Sequence, residues 1–107
     1  AVPTSFTNTS NGSAVNNGAS STNGGAGFLH MLQAAASDTY SIVIEGSATG
    51  AFGGEEATLA TFTADASALT SERVSISGTI PQYVRWKATR TGSAGDTVQL
   101  AISLIRL

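Results

Sequence analysis

At 107 residues the chain can enclose one hydrophobic core and has no room for a second. Five basic and seven acidic residues leave a net charge of −2, and this argues against a nucleic-acid partner, because phosphate binding needs clustered Lys and Arg. The lack of Cys excludes disulfides, thiolate metal sites and a Cys nucleophile, and no apolar run approaches the ~18 residues that span a bilayer, so no membrane partner is expected.

Residues 1–27 carry no charge and are dominated by Ser, Thr, Asn and Gly, with Val2, Phe6 and Val15 as isolated larger apolar side chains. Alone, such a stretch cannot bury enough apolar area to offset the entropy lost on ordering. Asn11-Gly12, Asn17-Gly18 and Asn23-Gly24 are turn signals that favour a meandering extended arm over a helix. Two readings stay open for it. One is a disordered tail or linker; the other is an arm that orders across a neighbouring subunit with Val2 and Phe6 as apolar pegs. On the second reading, deleting residues 2–20 weakens assembly and leaves the rest folded. Gly24-Gly25-Ala26-Gly27 lacks the following helix and Lys of a phosphate cradle and reads as a hinge.

From residue 28 to 107 the pattern changes to short runs of alternating apolar and polar residues between Gly-bearing turns. Six strands are expected: Phe28–Gln33, Thr39–Glu45, Ala57–Thr63, Glu72–Ser77, Gln82–Arg90 and Asp96–Arg106. In the fifth, Val84, Trp86 and Ala88 point one way and Tyr83, Arg85, Lys87 and Thr89 the other, which sets the single Trp against the core and a basic row outside. In the sixth, Val98, Leu100, Ile102 and Leu104 share the core face. Gly46 to Glu56 reads as a flexible hairpin loop with Glu55-Glu56 at its solvated tip, and Ala64 to Leu69 as a helical turn capped by Asp65 or Thr63. The fold class is therefore all-β: a single antiparallel β-sandwich, jelly-roll-like or immunoglobulin-like, over residues 28–107, with an extended N-terminal arm over residues 1–27.

Chemistry leaves few marks. His30 and Asp38 could join one of the serines in a triad, but no Gly-x-Ser-x-Gly elbow is present, and the alternation places His30 beside Phe28 and Leu32 as a packed or interface residue. The acids show neither the Asp-x-Asp-x-Asp-Gly loop of a calcium site nor the marks of a glycosidase pair. No catalytic, metal or cofactor residue is assigned. Phe52 and Tyr83 are the two aromatic residues expected at the surface, where a sugar-binding module would need them.

The run Gly24 to Leu32, then Leu59 to Thr63, Ser71 to Ile80, Tyr83-Val84-Arg85-Trp86 and the closing Ala101-Ile102-Ser103-Leu104-Ile105-Arg106 resemble a β-sandwich domain of structural proteins of tailed bacteriophages, in head-decoration and tail proteins. The resemblance implies a non-enzymatic virion protein on the capsid surface, a trimeric decoration (cement) subunit that binds the major capsid protein. A tail-tube or tail-surface subunit is the nearest variant, and a carbohydrate-binding module is the alternative of another class. The low charge suits an assembled subunit, since charge keeps small monomers apart. The candidate assembly interface comprises Val2, Phe6, Val15, Tyr83, Arg85 and Lys87, the last two seeking acids such as Glu45, Glu55, Glu56 or Glu72 on a neighbour.

Overall fold

The computed structural model describes residues 3–107, so the expected peg Val2 lies outside the described residues. Among the described residues nine strands occur: β1 (Thr4–Phe6), β2 (Ser10–Asn11), β3 (Val15–Asn16), β4 (Gly25–Gln33), β5 (Thr39–Ser47), β6 (Ala57–Thr61), β7 (Ser71–Ile76), β8 (Tyr83–Thr91) and β9 (Val98–Arg106). All six strands read from the period-two pattern are present, and two antiparallel sheets pack face to face. One has the order β1-β9-β4-β7; in the other, β2 and β3 both pair with β8, followed by β5 and β6.

The wrap of the chain decides between the two sandwich types. Asn11 pairs with Lys87 and Val15 with Val84, so four steps along the first strand match three along the second. Thus β2 and β3 are one strand interrupted by a bulge. Counted so, first pairs with last (β1 with β9), second with seventh (β2/β3 with β8), third with sixth (β4 with β7) and fourth with fifth (β5 with β6). This nested pairing is a jelly roll.

The core follows from the alternation. Leu29, Met31, Tyr40, Ile42, Ile44, Val84, Ala88, Val98 and Leu100 project between the sheets and are buried. Trp86 takes the expected inward face, half-buried, with its indole stacked on Phe6 at 5.5 Å. A Cβ on Gly12 would overlap that indole, so the arm can lie against β8 there only as glycine. The stretch expected as a hinge is instead the buried start of β4, where a Cβ on Gly25 would meet the Ile105 carbonyl.

The segment before β4 lies on the chain's own sheets. Thr4 pairs with Leu100, Ser10 with Ala88 and Val15 with Val84, while Arg106 Nη1 donates to the Ala19 carbonyl at 2.6 Å. Phe6 packs edge-on against Tyr40 at 5.3 Å as well as on Trp86, inside its own sandwich rather than as a peg into a neighbour. Polar side chains in this segment leave its backbone to provide most of the bonding, and that backbone finds partners in β8 and β9.

No helix occurs among the described residues, and the turn expected at Ala64 to Leu69 is irregular. Asp65 Oδ1 accepts from the Ser67 N–H at 3.1 Å, and Ala66 adopts φ 67°, outside the helical region. A reciprocal clamp holds the β8–β9 connection. Ala94 and Gly95 N–H groups donate to the two oxygens of the buried Asp38 at 3.0 Å each, and Asp96 Oδ2 accepts from Ser37 at 2.7 Å. The Ala94 N–H, with those of Gly95 and Asp96 and the Arg90 charge, outweighs burial and holds the Asp38 carboxyl below its ordinary value.

Because the folded value is depressed, this carboxylate contributes stability that is complete above the unfolded value near 3.8 and disappears as pH falls through the folded one. Glu55, lowered by the Ser47 and Thr49 hydroxyls, acts in the same direction. Thermal melts are expected to be flat from about pH 7 to 5 and to drop steeply below about pH 4. Asp38→Asn should lower the melting temperature at pH 7 and flatten the acid drop; an unchanged acid slope would show that the clamp contributes nothing.

Candidate assembly interface

The outer face of β8 carries Tyr83, Arg85 and Lys87, as the alternation implies. Their surroundings differ from the expectation. Arg85 sits in register with Glu45 of β5, and its Nε donates to Glu45 Oε1 at 2.6 Å. Glu45 is buried, because the β5–β6 loop folds back over this face instead of projecting as a hairpin tip. The acid expected on a neighbour is therefore supplied by the same chain.

The loop is pinned chiefly by the Ser47 hydroxyl. Ser47 Oγ donates to Glu55 Oε1 at 2.5 Å and accepts the N–H groups of Gly50 at 3.1 Å and Phe52 at 3.3 Å. The Thr49 hydroxyl also donates to Glu55. These bonds turn Phe52 inward at φ 60°, where it is 2% exposed and its ring lies 4.2 Å from the Arg85 guanidinium. Glu55 is thus a structural acceptor, and Phe52 is no surface aromatic. Tyr83 lies against Gly50 of the same loop. Of the two rings read as exposed, Phe52 is buried and Tyr83 is half-buried, so they form no open pair for stacking.

Lys87 remains on this face, opposite Asn11 and Val43, with no acid across from it. Val15 is 54% exposed on β3, whereas Phe6 is inside. His30 is exposed on the outer face of the other sheet, its Nδ1 2.9 Å from Ser71 Oγ. Asp38 binds the β8–β9 loop and so completes no triad with that pair. Among the described residues no group of three or more acids or histidines could hold a metal ion.

A wider pattern emerges from the charged residues. Arg90 donates to the Thr7 carbonyl, Arg106 to those of Ala19 and Asn17, and Arg73 to Ser75 while flanking Phe28. Glu72 accepts the N–H groups of Thr63 at 2.8 Å and Ala64 at 2.9 Å. With the partners already described for Asp38, Glu45, Glu55, Asp65, Arg85 and Asp96, every charged side chain except Glu56 and Lys87 bonds to a described residue of the chain. No periodicity could have disclosed Glu45 as a partner of Arg85; only their common register does.

No family model matches the chain, and neither a curated protein nor a solved structure matches it.

Proposed function

We propose that the chain is a non-enzymatic, homo-oligomeric structural subunit of a tailed-phage virion, a capsid decoration subunit that binds the major capsid protein, with a tail-surface subunit as the neighbouring variant. The observation that supports an assembled subunit is the use of the charges. Few to begin with, they hold loops and the N-terminal segment within the chain, so the exterior has little field with which to keep copies apart. Repetition around a symmetric shell would multiply weak neutral contacts into stable attachment. The resemblance of Gly24 to Leu32 and Ser71 to Ile80 to phage structural domains supports the virion setting.

Mixing the purified chain with undecorated phage heads and counting bound copies tests this reading directly. Stoichiometric, saturable attachment is the expected result, and the same mass measurement reads the three-fold copy number that the resemblance implies. Lys87→Glu is the surface variant of choice, since Lys87 makes no side-chain bond to a described residue. It should weaken attachment by up to about fivefold at low salt, less at high salt, without changing the melting temperature. Absence of attachment to heads and tails alike, or saturable binding of an oligosaccharide by the free chain, would overturn the proposal.

A further inference from the structure

Each edge strand of a sandwich must place one row of unpaired N–H and C=O groups. On the β6/β7 side the two sheets meet, and the Glu72 carboxylate ties the chain beyond β6 to β7. The opposite side is incomplete. There, among the described residues, β1 covers β9 only from Val98 to Leu100, and Pro3, which has no N–H, precedes it.

Alternation along β9 shows where the remaining groups point. The Leu107 N–H donates to the Gly24 carbonyl at 3.0 Å, and on the far side of β4 the Met31 N–H donates to Thr70 at 2.8 Å. Odd-numbered residues of β9 therefore bond to β4, and the backbone groups of Ile102, Leu104 and Arg106 turn to the open side. Beside them lies a cleft of about 210 Å³ whose apolar wall is formed by Val15, Val84, Trp86, Ile102 and Leu104. From Ala101 to Ile105 this edge has no charge and no proline, the devices with which natural edges avoid pairing. Three of the large hydrophobic residues left exposed, Val15 at 54%, Ile105 at 54% and Leu107 at 75%, surround it.

We propose that this edge is an interface between two copies of the chain, in which β9 pairs antiparallel with the β9 of the second copy about a two-fold axis at Leu104. The occupant must be extended and uncharged, with apolar residues at alternate positions facing the cleft. Within this sequence the Ala101 to Ile105 stretch of β9 meets that description, with Ile102 and Leu104 inward and Ser103 outward, while Arg106 beyond it is held by the Asn17 and Ala19 carbonyls of its own chain. Centred on Leu104, the pairing sets Leu104 opposite Leu104, Ile102 opposite Arg106 and Ser103 opposite Ile105, so no like charges meet. The N–H and C=O groups that the described residues leave unpaired are satisfied in both copies, the incoming apolar side chains close the cleft, and the two Val15 residues approach each other. Such an isologous contact joins the two β9-containing sheets into one.

The proposal rests on the edge and not on the virion reading. Sedimentation of the full chain over a concentration series is expected to show a monomer–dimer equilibrium. Leu104→Pro removes an N–H that no described residue accepts, and Val15→Lys sets two like charges near the axis. Each should weaken association by about tenfold or more. Leu69→Lys, at an exposed site by the opposite edge, should leave it unchanged. Circular dichroism confirms that each variant is folded, and Val15→Lys carries the test if the proline variant is not. A chain that stays monomeric at its highest soluble concentration, or an oligomer that Val15→Lys leaves intact, would overturn the pairing. A trimer indifferent to these variants that still decorates heads would do so while sparing the virion reading. A dimer that they dissolve and that ignores phage particles would support the pairing and sink that reading.

Discussion

Deleting residues 2–20 is expected to unfold the sandwich. The composition of this segment suggested a dispensable arm, yet the jelly roll uses it as two of its nested strands. Its loss strips Phe6 from Tyr40 and Trp86, removes the partners of the outer edges of β8 and β9, and leaves Arg90 and Arg106 without the carbonyls of Thr7, Asn17 and Ala19. Truncating a packed Phe alone costs about 3–5 kcal/mol, against a total stability of about 5–15 kcal/mol for a small domain. Trp86, the single Trp, reports the outcome by its emission, which should shift to that of a solvated indole while the β-sheet circular dichroism collapses. A truncated chain that melts cooperatively within a few degrees of the full one would return the segment to the status of a tail.

The second large effect concerns Arg85→Glu. Read from the alternation alone, Arg85 belongs to an outward basic row that seeks acids on a neighbour, and its substitution is expected to weaken particle binding in a salt-dependent way. In the structure it sets a second carboxylate beside the buried Glu45 and removes the cation from the face of Phe52. Removing one partner of a buried pair costs about 3–5 kcal/mol, because the other charge stays desolvated and unmatched. Arg85→Glu should therefore lower the melting temperature sharply, and the double variant Glu45→Gln/Arg85→Gln should recover much of the loss, since two neutral amides can bond to each other. Equal melting temperatures for Arg85→Glu and the wild type would show that the pair is not buried in solution. Lys87→Glu, by contrast, tests the surface without touching the fold.

Much of this molecule was legible in the sequence, for an identifiable reason. A strand buried on one face must alternate, and alternation is a local property, so the six strands from Phe28 to Arg106 and the inward faces of Val84, Trp86, Ala88, Val98 and Leu100 follow from spacing alone. Absences in composition are equally local: without Cys there can be no disulfide. The neutral arm misled because its stability does not reside in its own side chains. Short stretches of Ser, Thr and Asn gain order by donating backbone groups to strands far away in the chain, and no composition signals which strand will accept them.

What the tertiary structure decided is pairing at a distance. Alternation says which way Arg85 points but not that Glu45 lies opposite it, nor that the β5–β6 loop folds back to bury Phe52 against the Arg85 guanidinium. Nor can it say how far β1 runs along β9 among the described residues, and so which backbone groups those residues leave unpaired beside Val15 and Trp86. Periodicity fixes the face of each residue; register and the order of strands, which create the clamps, the buried ion pair and the open edge, depend on contacts between residues that the chain holds many positions apart.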